Sequence, residues 1–282
     1  MLSEVLLRND RETAEITQPA VVPQTSPEEQ AAECRARAAI YRLLAAVFVE
    51  EVTPDLLQAI RSEALLAQLA EVGIRFDDDF TAAPDAALLE ALAAEYTALF
   101  ACTGGFPPVE SVRLYGLFQQ EPAFQVAETY RQHGFVLKKG KFATFPDQLG
   151  VELSFVAELL ERAADALENG DVATQRKLEK TIKRFWAQHL GLWVRGYGRL
   201  VQRAAAHSFY REMGRFLTGF AEEEIAAMGL KVEDRDQGKL EVEKIPGKVE
   251  FNPDEPICNA CVGSMAAAKG QGATVSVLHD LR

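Results

Sequence analysis

Helix-start signals recur along this chain ahead of apolar residues spaced three and four apart, and before residue 230 no segment alternates as a half-buried strand would. Ser26-Pro27-Glu28-Glu29 places a capping serine, a proline in the first turn and a reciprocal glutamate in register. Ile40, Leu43, Leu44 and Val47 then share one face, so a helix is expected to about Phe48. Thr53-Pro54-Asp55 repeats the signal for a helix to about Leu69. A polar stretch over residues 77–84 precedes a third helix from Asp85, carrying Leu88, Leu92, Tyr96 and Leu99. Cys102-Thr103-Gly104-Gly105-Phe106-Pro107-Pro108 stops it, because glycine and proline do not sustain a helix.

Residues 106–121 read as an irregular loop, and Pro122 opens a helix to about His133. After the basic stretch at 138–141, Pro146-Asp147 starts a strong helix with Leu149, Leu153, Val156, Leu160 and Leu167 inward. Asp147 suits the cap of that helix. Asn169-Gly170-Asp171 ends it and caps a helix to about His189, and two more cover 190–206 and 208–228. The expected fold is all-α: one bundle-like domain of about eight to ten helices over residues 26–229. Residues 1–25 are expected as a flexible extension and 230–282 as a polar, partly disordered tail. Within that tail, residues 239–244 and 274–278 are the two places where a short strand fits. A hinge near 104–122 suits either a monomer or a homodimer that exchanges helices.

Charge and motifs narrow the function. Forty-two acidic against 30 basic side chains give a formal charge of −12, which disfavours nonspecific nucleic-acid binding and favours a cationic partner. No apolar run reaches the roughly 18–20 residues of a membrane span, and Arg8-Asn9-Asp10-Arg11-Glu12 breaks the apolar start, so a cytoplasmic protein is expected. There is no phosphate loop, dinucleotide fingerprint, nucleophile elbow or paired-histidine metal helix, and no enzyme activity is expected. Cys258-x-x-Cys261 could hold one side of a zinc ion or form a redox dithiol, but no second ligand pair accompanies it. It supports an alternative reading as a metal- or redox-active helical protein. Glu158, Glu161, Asp165 and Glu168 share one helix side, as a solvated face or as an attractor for an arginine-bearing peptide.

Three stretches resemble the TorD-type chaperone family of molybdenum-containing oxidoreductases. The first is Glu95-Tyr96-x-x-Leu99-Phe100 with Pro107-Pro108-Val109-Glu110-Ser111-Val112. The second is Glu121-Pro122-Ala123-Phe124-Gln125-Val126 with Tyr130-Arg131-x-x-Gly134. The third is Pro146-Asp147-Gln148-Leu149-Gly150-Val151-Glu152-Leu153-x-Phe155. Phe185-x-x-x-His189-Leu190-x-x-Trp193 and Phe209-Tyr210-Arg211 follow in matching order, so the likeness covers about residues 35–220. Val109 stands where the family commonly has an aromatic residue, and Gln148 replaces the histidine of its Pro-Asp-His signature. Gln148 keeps hydrogen-bonding capacity without a titratable ring.

The resemblance implies a chaperone that binds a molybdopterin-dependent apo-subunit, often at its twin-arginine signal peptide, in the cytoplasm. There it supports molybdenum-cofactor insertion before export and requires no cofactor of its own. Such a receptor needs an apolar groove beside carboxylates, because guanidinium groups pair best with carboxylates in bidentate geometry. The candidate carboxylates are Glu110, Asp147 and Glu152; Tyr96, Phe100, Phe155 and Trp193 are candidate walls. Ser111, Pro146, Gln148 and His189 complete the expected client-binding set.

Overall fold

The computed structural model describes residues 26–137 and 145–245 together with a two-residue strand at 276–277. Within them the chain forms eleven α-helices, an all-α body with almost no strand. Helix α1 (Pro27–Val49) begins at the expected capping box, in which Ser26 and Glu29 exchange both side chain–backbone bonds. The region expected as one helix after Thr53 is two, α2 (Pro54–Ile60) and α3 (Glu63–Glu71), because the Ser62 hydroxyl accepts from the Leu65 amide and restarts the chain. The polar stretch holds a single turn, α4 (Asp78–Thr81), pinned by buried Phe80. Helix α5 (Asp85–Tyr96) runs into a π-helical turn over Thr97–Ala101.

The supposed loop at 106–121 contains α6 (Glu110–Tyr115), followed by α7 (Glu121–Gln132). Helices α8 (Leu149–Glu168) and α9 (Val172–Gln188) come next; a short 3-10 turn, Leu190–Leu192, leads to α10 (Val194–Ala204) and α11 (Ser208–Ala227). The extra restarts take the helix count above the expected eight to ten. Strands β1 (Phe135–Val136) and β2 (Ser276–Val277) pair in parallel, the second inside one of the two tail stretches read as possible strands.

The body is organised by two close helix pairs, α1 against α8 and α10 against α11, around one continuous apolar core. Close approach is purchased by glycine at the crossings. A Cβ on Gly150 would stand 2.6 Å from Val49 Cβ, and one on Gly214 would stand 2.8 Å from both Gln202 N and Gly198 O. Helices α1 and α8 are also stitched along their polar edge. Arg35 reaches Glu161, Asp165 and Glu168, and Arg42 reaches Glu158 and Glu161. The acidic stripe therefore already has arginine partners within its own chain.

The packed body extends beyond residue 229. Residues 230–245, the first part of the tail, run as a strap across α10 and α6. Arg235 N donates to Leu192 O, Arg203 Nη2 to Gly238 O and Ile245 N to Tyr115 O. The strap is anchored by Asp236, fully buried and bound in a two-bond fork to buried Arg113 of α6 at 2.7 and 2.8 Å. Gly196 of α10 lies so near the strap that an added Cβ would meet Gln237 N at 2.6 Å. No helix of the described residues is long and apolar enough to cross a membrane.

Candidate functional site

The expected client-binding residues converge, but in the interior. Two non-helical segments make the frame. Residues 107–110, entering α6, lie beside residues 145–149, entering α8. Leu149 N donates to Pro108 O at 2.8 Å, and Glu110 N donates to Asp147 O at 2.9 Å. Asp147 does not cap its own helix. Its Oδ2 accepts from Ser111 N at 2.8 Å and so caps α6 from across the seam. The cap of α8 is Gln148, whose Oε1 accepts from Val151 N while its Nε2 donates to Phe48 O at the end of α1. A histidine at position 148 would have to divide those two tasks between its ring nitrogens, whereas an amide carries an acceptor and a donor together.

Behind the seam, Glu110 at the start of α6, Glu152 in the first turn of α8 and His189 at the end of α9 point toward one another. One ligand-capable atom from each lies within 4.8 Å of those of the other two. Glu110 Oε2 and His189 Nδ1 are 2.9 Å apart. Glu152 has no accessible surface, and neither of its carboxylate oxygens has a hydrogen bond of ordinary geometry within the described residues. The nearby indole Nε1 of Trp193 and Asp147 Oδ1 are buried without such a partner as well. Burial, followed by the charges of the neighbouring Glu110 and Asp147 carboxylates and an interaction of hydrogen-bond type with Glu110, pushes Glu152 well above the ordinary carboxylate range, while the Trp193 indole pulls the other way. Burial also raises Asp147, against the Ser111 hydrogen bonds that lower it.

The candidate carboxylates do not border an open groove in this conformation. Glu110, Ser111, Asp147, Glu152, Phe155, His189 and Trp193 are each at most 2% exposed, Phe100 4% and Gln148 7%, too enclosed to border a surface groove in this conformation. Phe100 packs on Phe48, Tyr96 and Tyr210. Phe155 sits among Tyr130, Phe135 and Phe185. Only Tyr96 and Pro146 keep partial exposure, and Pro146 is joined at the seam by half-buried Phe145, stacked 4.7 Å from exposed Phe118. Cys258 and Cys261 lie outside the described residues. Of the other cysteines, Cys34 is buried and Cys102 exposed.

The resemblance grouped Glu110, Glu152 and His189 in one client-binding set, but nothing in residue order told that they meet in the interior, since each has an ordinary local role available. It also missed Arg113 and Asp236, which carry no signal beyond their charge.

The upward push on the Glu152 carboxyl has a measurable consequence in chelator-treated protein. The folded state keeps a proton that the unfolded chain releases above about pH 4.3. Wild-type stability should therefore fall as pH rises from there, by up to about 1.4 kcal/mol per unit below the folded pKa. Glu152→Gln removes the Glu152 share of that slope and leaves the share of Asp147, so urea denaturation should find the variant gaining on the wild type as pH rises above about 4.3. Parallel profiles would show that Glu152 is ionised in the folded protein.

A sequence model of the family described as nitrate reductase delta subunit matches residues 53–197. No curated protein matches the chain.

Proposed function

The chain belongs to the nitrate reductase delta subunit family, chaperones of molybdoenzyme maturation, and from that premise we propose that it grips the twin-arginine signal peptide of a molybdopterin-dependent apo-subunit. Binding takes place in the cytoplasm, before export, and holds the client while its molybdenum cofactor is inserted. The chaperone contributes binding free energy and needs no covalent chemistry of its own.

The observation that carries this reading is the seam between residues 107–110 and 145–149. Apolar residues with free surface, Phe118, Phe145 and Pro146, stand at its mouth, and three buried carboxyl groups, Glu110, Asp147 and Glu152, lie behind it. A signal peptide joins an apolar stretch to two guanidinium groups. Its apolar part would dock on the aromatic mouth, and its arginines would reach Asp147 and Glu110 when the two segments part. Parting the segments breaks the Leu149–Pro108 and Glu110–Asp147 backbone bonds and the Ser111–Asp147 cap, so the free energy of peptide binding must offset that opening. Phe100, Phe155 and Trp193 serve this reading as the packed floor that keeps the helix starts in place, with Tyr96 partly exposed at the end of α5.

Calorimetry of the full chain with a twin-arginine leader tests the proposal. Replacing both arginines by alanine should weaken binding by about tenfold or more, since each hydrogen bond to a charged group contributes roughly 1.5–3 kcal/mol. Raising the salt should weaken the native peptide more than the alanine version. Equal affinity of the two peptides would remove the carboxyl groups from the reading, and the absence of binding by either would remove the signal peptide.

A further inference from the structure

We infer that Glu110, Glu152 and His189 form a binding site for one divalent first-row transition-metal ion inside the helical body. Three different elements deliver the donors, the start of α6, the first turn of α8 and the end of α9, so the site is fixed by tertiary packing. Their ligand atoms lie within a 4.8 Å span. Around an ion with bonds of about 2.0–2.2 Å, tetrahedral ligand atoms stand roughly 3.3–3.6 Å apart. The Glu110–His189 pair, at 2.9 Å, would have to widen by roughly 0.4–0.7 Å, and donors at the 4.8 Å limit would have to close by up to about 1.5 Å, within reach of side-chain rotation.

A second observation points to a ligand rather than to plain packing. Both oxygens of Glu152 are buried, and neither the Glu110 carboxyl nor the Trp193 indole beside them reaches ordinary hydrogen-bond geometry, an arrangement that is costly unless something else occupies the oxygens. A dication balances the two carboxylates beside a neutral imidazole, leaving the buried cluster without net charge. Trp193 Nε1 stands close enough to lower the Glu152 pKa and would supply the outer hydrogen bond that metal-bound carboxylates usually receive. One imidazole with two carboxylates suits zinc, manganese or iron better than calcium, which takes six to eight oxygens. Three protein donors leave a coordination position for water.

The experiment uses the full chain, stripped with chelator and titrated with Mn(II), followed by electron paramagnetic resonance and by thermal unfolding. Mn(II) is chosen because thiolates are poor ligands for it, which sets Cys258 and Cys261 aside. The expected result is one ion per chain and a raised unfolding temperature. Glu152→Gln and His189→Gln should each weaken binding at least tenfold, while Cys258→Ser with Cys261→Ser should leave it unchanged. Zn(II) titrated into the double-serine protein should reproduce the stoichiometry. Failure of the stripped wild type to bind either ion overturns the assignment, whatever the variants do. So does equal binding by the wild type and a folded Glu152→Gln. No client peptide enters the measurement, so its outcome is separate from that of signal-peptide binding.

Discussion

Asp236→Ala should lower the unfolding free energy by about 3–5 kcal/mol, the usual cost of leaving one member of a buried ion pair without its partner. Arg113 and Asp236 are 3% and 0% exposed, and their fork is joined by a bond from Arg113 Nη2 to Lys239 O at 2.6 Å. Once Asp236 is gone, the Arg113 guanidinium must either stay buried with a single carbonyl partner or leave the interior and release the strap. The loss is a large share of the roughly 5–15 kcal/mol that holds a typical domain together. Urea denaturation would give the size, and limited proteolysis would show new cleavage between residues 230 and 245. Arg113→Met combined with Asp236→Leu should recover most of the loss, because apolar replacement of a whole buried pair is often neutral or better. Unchanged stability in Asp236→Ala would mean that the strap contributes nothing to the body.

Phe155→Ala should cost about 3–5 kcal/mol through the cavity it leaves and the apolar contact it removes. The ring is fully buried, with centroids at 4.8 Å from Tyr130, 4.9 Å from Phe185 and 5.2 Å from Phe135. Those neighbours come from α7, β1 and α9, so collapse around the gap would have to move three elements at once. Heat and urea unfolding give the magnitude, and the readout matters for function. A folded Phe155→Ala protein that loses client binding while keeping wild-type stability would place the ring in the binding surface and contradict its role as floor.

Much of the architecture was legible from residue order. Caps at Ser26, Thr53 and Asp171 and apolar spacing along the long helices depend on neighbours within one turn, where local sterics and hydrogen bonding decide the outcome. The motifs around Glu110, Asp147 and Glu152 also located the correct region, and the family they resemble is the one to which the chain belongs. Depth was not legible: nothing within a few residues of Glu152 tells that α6 and α9 will cover it.

Residue order by itself thus determined the helical class, most helix starts and the family. Tertiary structure alone decided that Asp147 caps α6 across the seam, that α1 arginines occupy the acidic stripe, that Asp236 ties down the strap, and that Glu110, Glu152 and His189 meet out of water. The physical reason is range. Helix formation is settled over three or four residues, whereas the burial of a charge depends on which distant surface arrives to enclose it.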